Sequence, residues 1–146
     1  MNEPSYPFNQ IEDKFSFTFD SVSNQKTIRK LIEFRLIDSN TYLYNLALVD
    51  ILPDGSVSDL SISNNKDMPQ VLATVLQAID YFFSKNTTAK ILIQGSTKSR
   101  TRLYQIAIAK YLSQIEHKYL LWGFIKENIE CFATGRNYDG FIVENK

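Results

Sequence analysis

A single cysteine, Cys131, in 146 residues excludes an internal disulfide framework and any cysteine-built zinc site. Glycine and proline are scarce, at 5 and 4, while 44% of residues are hydrophobic, so the composition is that of a compact folded chain rather than a disordered one. Charge of one sign is not in excess either. Lys and Arg total 16, as do Asp and Glu, which argues against broad, charge-driven binding of nucleic acid. No stretch approaches the ~20 apolar residues of a membrane helix, and no basic segment leads into an apolar run near residue 1. A soluble, cytoplasmic protein without a membrane association is the expectation. The one histidine, His117, lies in polar Glu116-His117-Lys118 after a helix, where a surface residue is a simpler reading than a catalytic base. No metal signature and no cofactor motif is visible, so none is expected.

What is present is a change of period partway along the chain. Residues 1–13, with Pro4 and Pro7, read as a loosely ordered lead-in, followed by one domain over residues 14–146. Phe15, Phe17 and Phe19 alternate with polar residues in the manner of a half-buried strand. In residues 28–37, Ile28, Lys30, Ile32, Phe34 and Leu36 share one face of a second strand. Residues 42–52 are a long apolar run expected to be a central strand, and Pro53-Asp54-Gly55-Ser56 turns it into residues 57–62. Short polar links make an antiparallel meander the expected arrangement.

From Val71 the period becomes helical, with Leu72, Val75, Leu76, Ile79, Phe82 and Phe83 in one stripe, predicting a helix over residues 68–84. Asp67 with Gln70 resembles a capping box, and Pro69 fits only the first turn. Residues 90–94 follow as a strand, then a helix over 98–115 with Leu103, Tyr104, Ala107, Ile108, Tyr111, Leu112 and Ile115 on its expected buried face. Residues 120–126 and 130–143, the latter interrupted at Gly135-Arg136-Asn137, give two or three closing strands. Here Cys131, Tyr119 and Trp122 are expected in the core. The predicted class is α+β, a mixed, mostly antiparallel sheet in the order β-β-β-β-α-β-α-β-β with two helices packed on it.

The candidate site is the passage from strand to helix, Gly95, Ser96, Thr97, Lys98, Ser99, Arg100, Thr101, Arg102, Leu103, Tyr104. A helix N-terminus has N–H groups without internal partners and roughly half a positive charge, and so favours anions. Gly95 permits a sharp turn, Ser96, Thr97 or Ser99 caps the helix, and Lys98, Arg100 and Arg102 add cationic donors. A plainly structural reading, a well-capped helix with exposed basic residues, competes with this. If strands 57–62 and 90–94 are parallel across the intervening helix, Asn64, Asn65 and Asp67 come near Gly95 to Arg102. Arg100 would then be half-buried and paired with Asp67, and Arg102 would meet solvent or ligand.

The strings Ser63-Asn64-Asn65-Lys66-Asp67, Val71-Leu72-Ala73-Thr74-Val75, Gly95-Ser96-Thr97, Arg100-Thr101-Arg102-Leu103-Tyr104 and Asn137-Tyr138-Asp139-Gly140-Phe141 together resemble an uncharacterised family of small bacterial proteins, a domain of unknown function. The resemblance spans residues 14–143 and implies a bacterial cytoplasmic origin without an assigned activity. Lys66 and Val49 stand where that pattern has glycine. The succession of strands and then α-β-α-β-β is also similar in architecture to the acyl-CoA-dependent N-acetyltransferases. Their pyrophosphate loop is glycine-rich, whereas residues 63–68 here contain no glycine.

Three functions remain in view. The first is a non-enzymatic binding module for an anionic ligand or a protein partner at the Gly95 loop. The second is a diverged acetyltransferase-like enzyme with Tyr104 or Tyr138 as general acid. The third is a single-stranded nucleic-acid binder using an aromatic sheet face, which the neutral charge disfavours. Residues 42–52 can also pair across a two-fold axis, which allows a homodimer.

Overall fold

The computed structural model describes residues 5–7, 9–10, 15–22, 26–58 and 68–146. In chain order the elements are β1 (Asn9–Gln10), β2 (Ser16–Val22), β3 (Thr27–Asp38), β4 (Leu43–Ile51), β5 (Val57–Ser58), α1 (Met68–Lys85), β6 (Lys90–Ile93), α2 (Lys98–Lys110), α3 (Leu112–Lys118), β7 (Tyr119–Ile125), β8 (Asn128–Cys131) and β9 (Gly140–Asn145). The class is α+β, with a mixed, mostly antiparallel sheet and three helices against it. The chain forms two compact units, Met1–Arg35 with Ala47–Lys85, and Leu36–Leu46 with Asn86–Lys146.

In the first unit β2 pairs antiparallel with β1 and with β3, placing Phe17 opposite Ile32, and β5 pairs antiparallel with β4. Phe17, Phe19, Ile32 and Phe34 are buried, as the alternation requires, although Ser16 and Thr18 between the phenylalanines are buried as well. They meet the helical stripe of α1, where Val71, Val75, Ile79, Phe82 and Phe83 are buried too. The Phe34 ring stacks on Phe82 at 4.4 Å, with Phe15 edge-on to Phe82 at 5.3 Å. Inside the stretch 1–13, Tyr6 stacks on Phe19 at 5.6 Å, and its backbone N–H donates to Thr74 Oγ1 at 2.8 Å. The turn after β4 also forms as read. Gly55 has φ of 88°, a left-handed conformation open to glycine at no steric cost.

Alternation put Lys30 on the same face as Ile32 and Phe34, and the structure keeps it there. Only 4% of Lys30 is exposed, and its Nζ lies 2.5 Å from Oδ1 of Asp50, itself 6% exposed. A buried ammonium needs a carboxylate, and β4 supplies it from within its apolar run.

The second unit is built on β4–β6–β9–β7–β8, with Leu43 to Leu46 of β4 as its first members. Here β4 and β6 are parallel, Leu43 facing Lys90 and Leu46 facing Ile93, while β9 runs antiparallel to β6 and β7, and β8 antiparallel to β7. Ile91, Phe141, Val143 and Leu121 meet on the buried face, with Ala107, Ile108, Tyr111 and Ile115 contributing from the helices.

Four expectations change. The parallel neighbour of β6 is β4, not the strand beginning at Val57, which pairs β4 antiparallel. The helix expected over 98–115 is two helices, because Tyr111 adopts φ −111° and ψ 23° and its N–H divides between the Ala107 and Ile108 carbonyls. Leu103 is exposed, and the buried face of α2 instead carries Thr101 and Gln105 beside Ala107 and Ile108. Cys131 is exposed, on the edge strand β8, whose residues are exposed or half-buried.

Candidate functional site

The first turn of α2 lies close against the end of β6, and Gly95 makes this possible. A Cβ there would sit 2.5 Å from the Thr101 nitrogen and 2.6 Å from Arg100 Cβ, closer than any side chain tolerates. Thr97 is the N-cap, extended at φ −134° and ψ 164°, and its Oγ1 accepts the Arg100 N–H at 3.1 Å. The Thr101 hydroxyl closes the turn. It accepts the Gly95 N–H at 2.9 Å and donates to the Thr97 carbonyl at 3.2 Å.

Facing this turn is the loop between β8 and β9. Arg102 Nη1 donates to Asn137 Oδ1 at 2.5 Å. One turn along, the buried Gln105 uses both ends of its amide: Nε2 donates to the Arg136 carbonyl, and Oε1 accepts the Tyr138 N–H at 3.1 Å. The loop is also tied to strands, since Gln94 Nε2 donates to the Asp139 carbonyl at 3.0 Å. Asp139 N–H donates to the Phe124 carbonyl at 2.8 Å, and its Oδ2 accepts the Lys126 N–H at 2.7 Å.

Turn and loop enclose a cleft of about 920 Å³ within the second unit. Lys98, Arg102 and Lys126 line it together with the Ser96, Thr97 and Ser99 hydroxyls, the Phe124 ring and one carboxylate, Asp139. Neither histidine nor cysteine is among the lining residues.

Tyr138 also lines the cleft, but its hydroxyl is engaged elsewhere, donating to Glu130 Oε2 at 2.8 Å and accepting the Ala133 N–H at 3.0 Å. Burial pushes its pKa above the usual phenol range, the Ala133 N–H partly opposes this, and Glu130 adds to it. Its ring packs so closely on β7 that a Cβ at Gly123 would come within 2.5 Å of it. A phenol held in this way is a structural post rather than an available general acid.

Of the residues expected at the site, Gly95, Ser96, Thr97 and Arg102 line the cleft. Arg100 is half-buried and Tyr104 half-buried, and neither is among the lining residues. Asn64, Asn65 and Asp67, and with them the suggested Asp67–Arg100 pair, lie outside the described residues. Sequence reasoning missed Gln105, Phe124, Lys126 and Asp139 as cleft residues. The signal for Gln105 was present: a glutamine four residues after Thr101 on a helix face that is otherwise apolar.

Phe17, Phe34, Phe82, Phe132 and Phe141 are buried, so none of these five rings offers a face for base stacking. Among the described residues no group of three or more His, Cys, Asp or Glu is placed to hold a metal ion. No helix among them is long and apolar enough to cross a membrane. Comparison with curated proteins and with solved structures gives no match. A family model does match, over residues 2–146 and therefore nearly the whole chain, and the chain belongs to that family of unknown function, DUF6934.

Proposed function

We propose that the chain is a non-enzymatic binding module whose cleft takes a phosphate-like anionic group at the start of α2. The observation that carries this reading is Arg102. It lines the cleft, and its only partner among the described residues is the neutral Asn137, so its charge is not cancelled where it stands. Lys98 and Lys126 add to the field, and the Ser96 and Ser99 hydroxyls supply short-range donors. Asp139 works against a uniformly anionic ligand such as a nucleic-acid strand. It favours one that carries a hydroxyl or amino donor beside its anion.

A second reading, a diverged acetyltransferase-like enzyme, draws on one feature. After α1 the chain enters β6 parallel to β4, then passes through helices into strands that are antiparallel to one another. Melting the protein with inorganic pyrophosphate and with acetyl-CoA separates the two readings. A ligand at a hundredfold excess over its Kd stabilises the fold by about 2.7 kcal/mol, worth about 5 °C or more in a domain of this size. The binding-module reading expects pyrophosphate to give that shift in the wild type and not in Arg102→Ala. A shift with acetyl-CoA alone would favour the enzyme, and no shift with either would defeat both.

A further inference from the structure

The buried amide of Gln105 is not itself placed to meet a ligand with a free polar atom, because both of its ends are occupied by the 136–138 backbone. Nε2 donates to the Arg136 carbonyl and Oε1 accepts from the Tyr138 N–H. Those two bonds bracket residue 137. The side chain they leave between them, Asn137, is the one that accepts from Arg102, which sits one helical turn before Gln105 on α2. One helix thus grips the loop at its base with a neutral, buried amide and receives from the loop a single oxygen for its exposed guanidinium.

We infer that Gln105 is the positioning residue of the cleft: by fixing the backbone on both sides of Asn137 it holds Arg102 in one orientation before any ligand arrives. The physical reason is entropic. A free arginine side chain loses rotamer freedom when it binds, and a guanidinium already held by a neutral acceptor loses less of it. Asparagine suits the task because a carboxylate at the same position would hold the guanidinium equally well while cancelling its charge. Gln105 suits its own position because its amide carries a donor and an acceptor on two separate atoms, one for each side of residue 137; an ionised glutamate has no donor there and leucine has neither. What the aimed guanidinium is for rests on the anion-binding reading above. That it is aimed does not.

The test reads Arg102 directly, without ligand. Nuclear magnetic resonance of the arginine side-chain N–H groups reports whether the Arg102 guanidinium rotates freely, and amide hydrogen exchange reports the loop at Tyr138. The wild type is expected to show a restrained Arg102 and a protected Tyr138 amide. Gln105→Met, which keeps the volume and removes both hydrogen bonds, is expected to release Arg102 and to speed exchange at Tyr138 at least tenfold. Asn137→Ala is expected to release Arg102 while leaving Tyr138 protected, an effect that general loosening of the fold would not produce. Should Gln105→Met fail to fold, Gln105→Glu takes its place, since it keeps the acceptor and loses the donor. Arg102 signals unchanged from wild type in the folded Gln105 variant would overturn the inference. Titration with inorganic pyrophosphate then separates the two claims. No binding to wild type sinks the anion reading and leaves the Arg102 signals to decide positioning. Equal affinity in wild type and the Gln105 variant overturns positioning and leaves the anion reading standing.

Discussion

Arg102 on α2 donates through Nη1 to the side-chain oxygen of Asn137, 35 residues further along, at 2.5 Å. Together with the two Gln105 bonds, it joins the two halves of the cleft, the capped start of a helix and a loop between strands. It does so with a neutral acceptor, so the cation keeps its charge for something else. The rest of the site follows from how each half is held: Gly95 lets the helix start close to β6, and Gln105 fixes the loop.

Gly95→Ala is expected to destabilise the protein by about 1–3 kcal/mol, the range for forcing atoms into filled space. The added methyl meets backbone and Cβ atoms of Thr101 and Arg100, which cannot swing aside as a flexible side chain does. Thermal melting checks this. A variant as stable as wild type would mean that the close approach of β6 and α2 is wrong.

Lys30→Met takes from the buried Asp50 the ammonium 2.5 Å away and is expected to cost about 3–5 kcal/mol. The double substitution Lys30→Met with Asp50→Leu removes both charges and is expected to recover most of that loss. Urea denaturation of the two variants decides the matter. Equal losses in single and double variants would show that the pair is not the reason either residue is tolerated inside.

Tyr138 has its pKa raised by burial, so the fold favours the neutral phenol. Its stabilising contribution is therefore complete below the unfolded-state value of about 10 and is lost as pH rises through the higher folded-state value. Tyr138→Phe is expected to lose about 1 kcal/mol at pH 7, having given up its hydrogen bonds. Above pH ~10 the gap to wild type should narrow, because only the wild type has this phenol to ionise. Denaturation at pH 7 and at strongly alkaline pH measures that gap, and a constant gap would contradict the buried environment assigned to the hydroxyl.

Much of this architecture is legible in the residues themselves, because it depends on local period. The stripe Val71, Val75, Ile79, Phe82 reads as α1 since one face of that helix is buried along its length. The succession Gly95 to Thr97 reads as a strand end and a cap for reasons of backbone geometry. What stayed hidden needs partners distant in sequence. Alternation gives the face of Lys30 but not that Asp50 waits 20 residues away, and nothing local marks Asn137 as the acceptor for Arg102. The break at Tyr111 carries no proline or glycine to announce it. Leu103 was assigned inside by a stripe drawn through the apolar residues alone, when two polar residues, Thr101 and Gln105, hold the buried positions instead.

The central claim is that the cleft binds an anion through Arg102, and calorimetric titration of inorganic pyrophosphate into wild type and Arg102→Ala tests it most directly. Arg102 is exposed, so the variant is expected to keep the wild-type stability to within about 0.5 kcal/mol. The account predicts uptake by the wild type that weakens as salt is raised, and at least a tenfold loss of affinity in the variant. Identical titrations for the two proteins would contradict it.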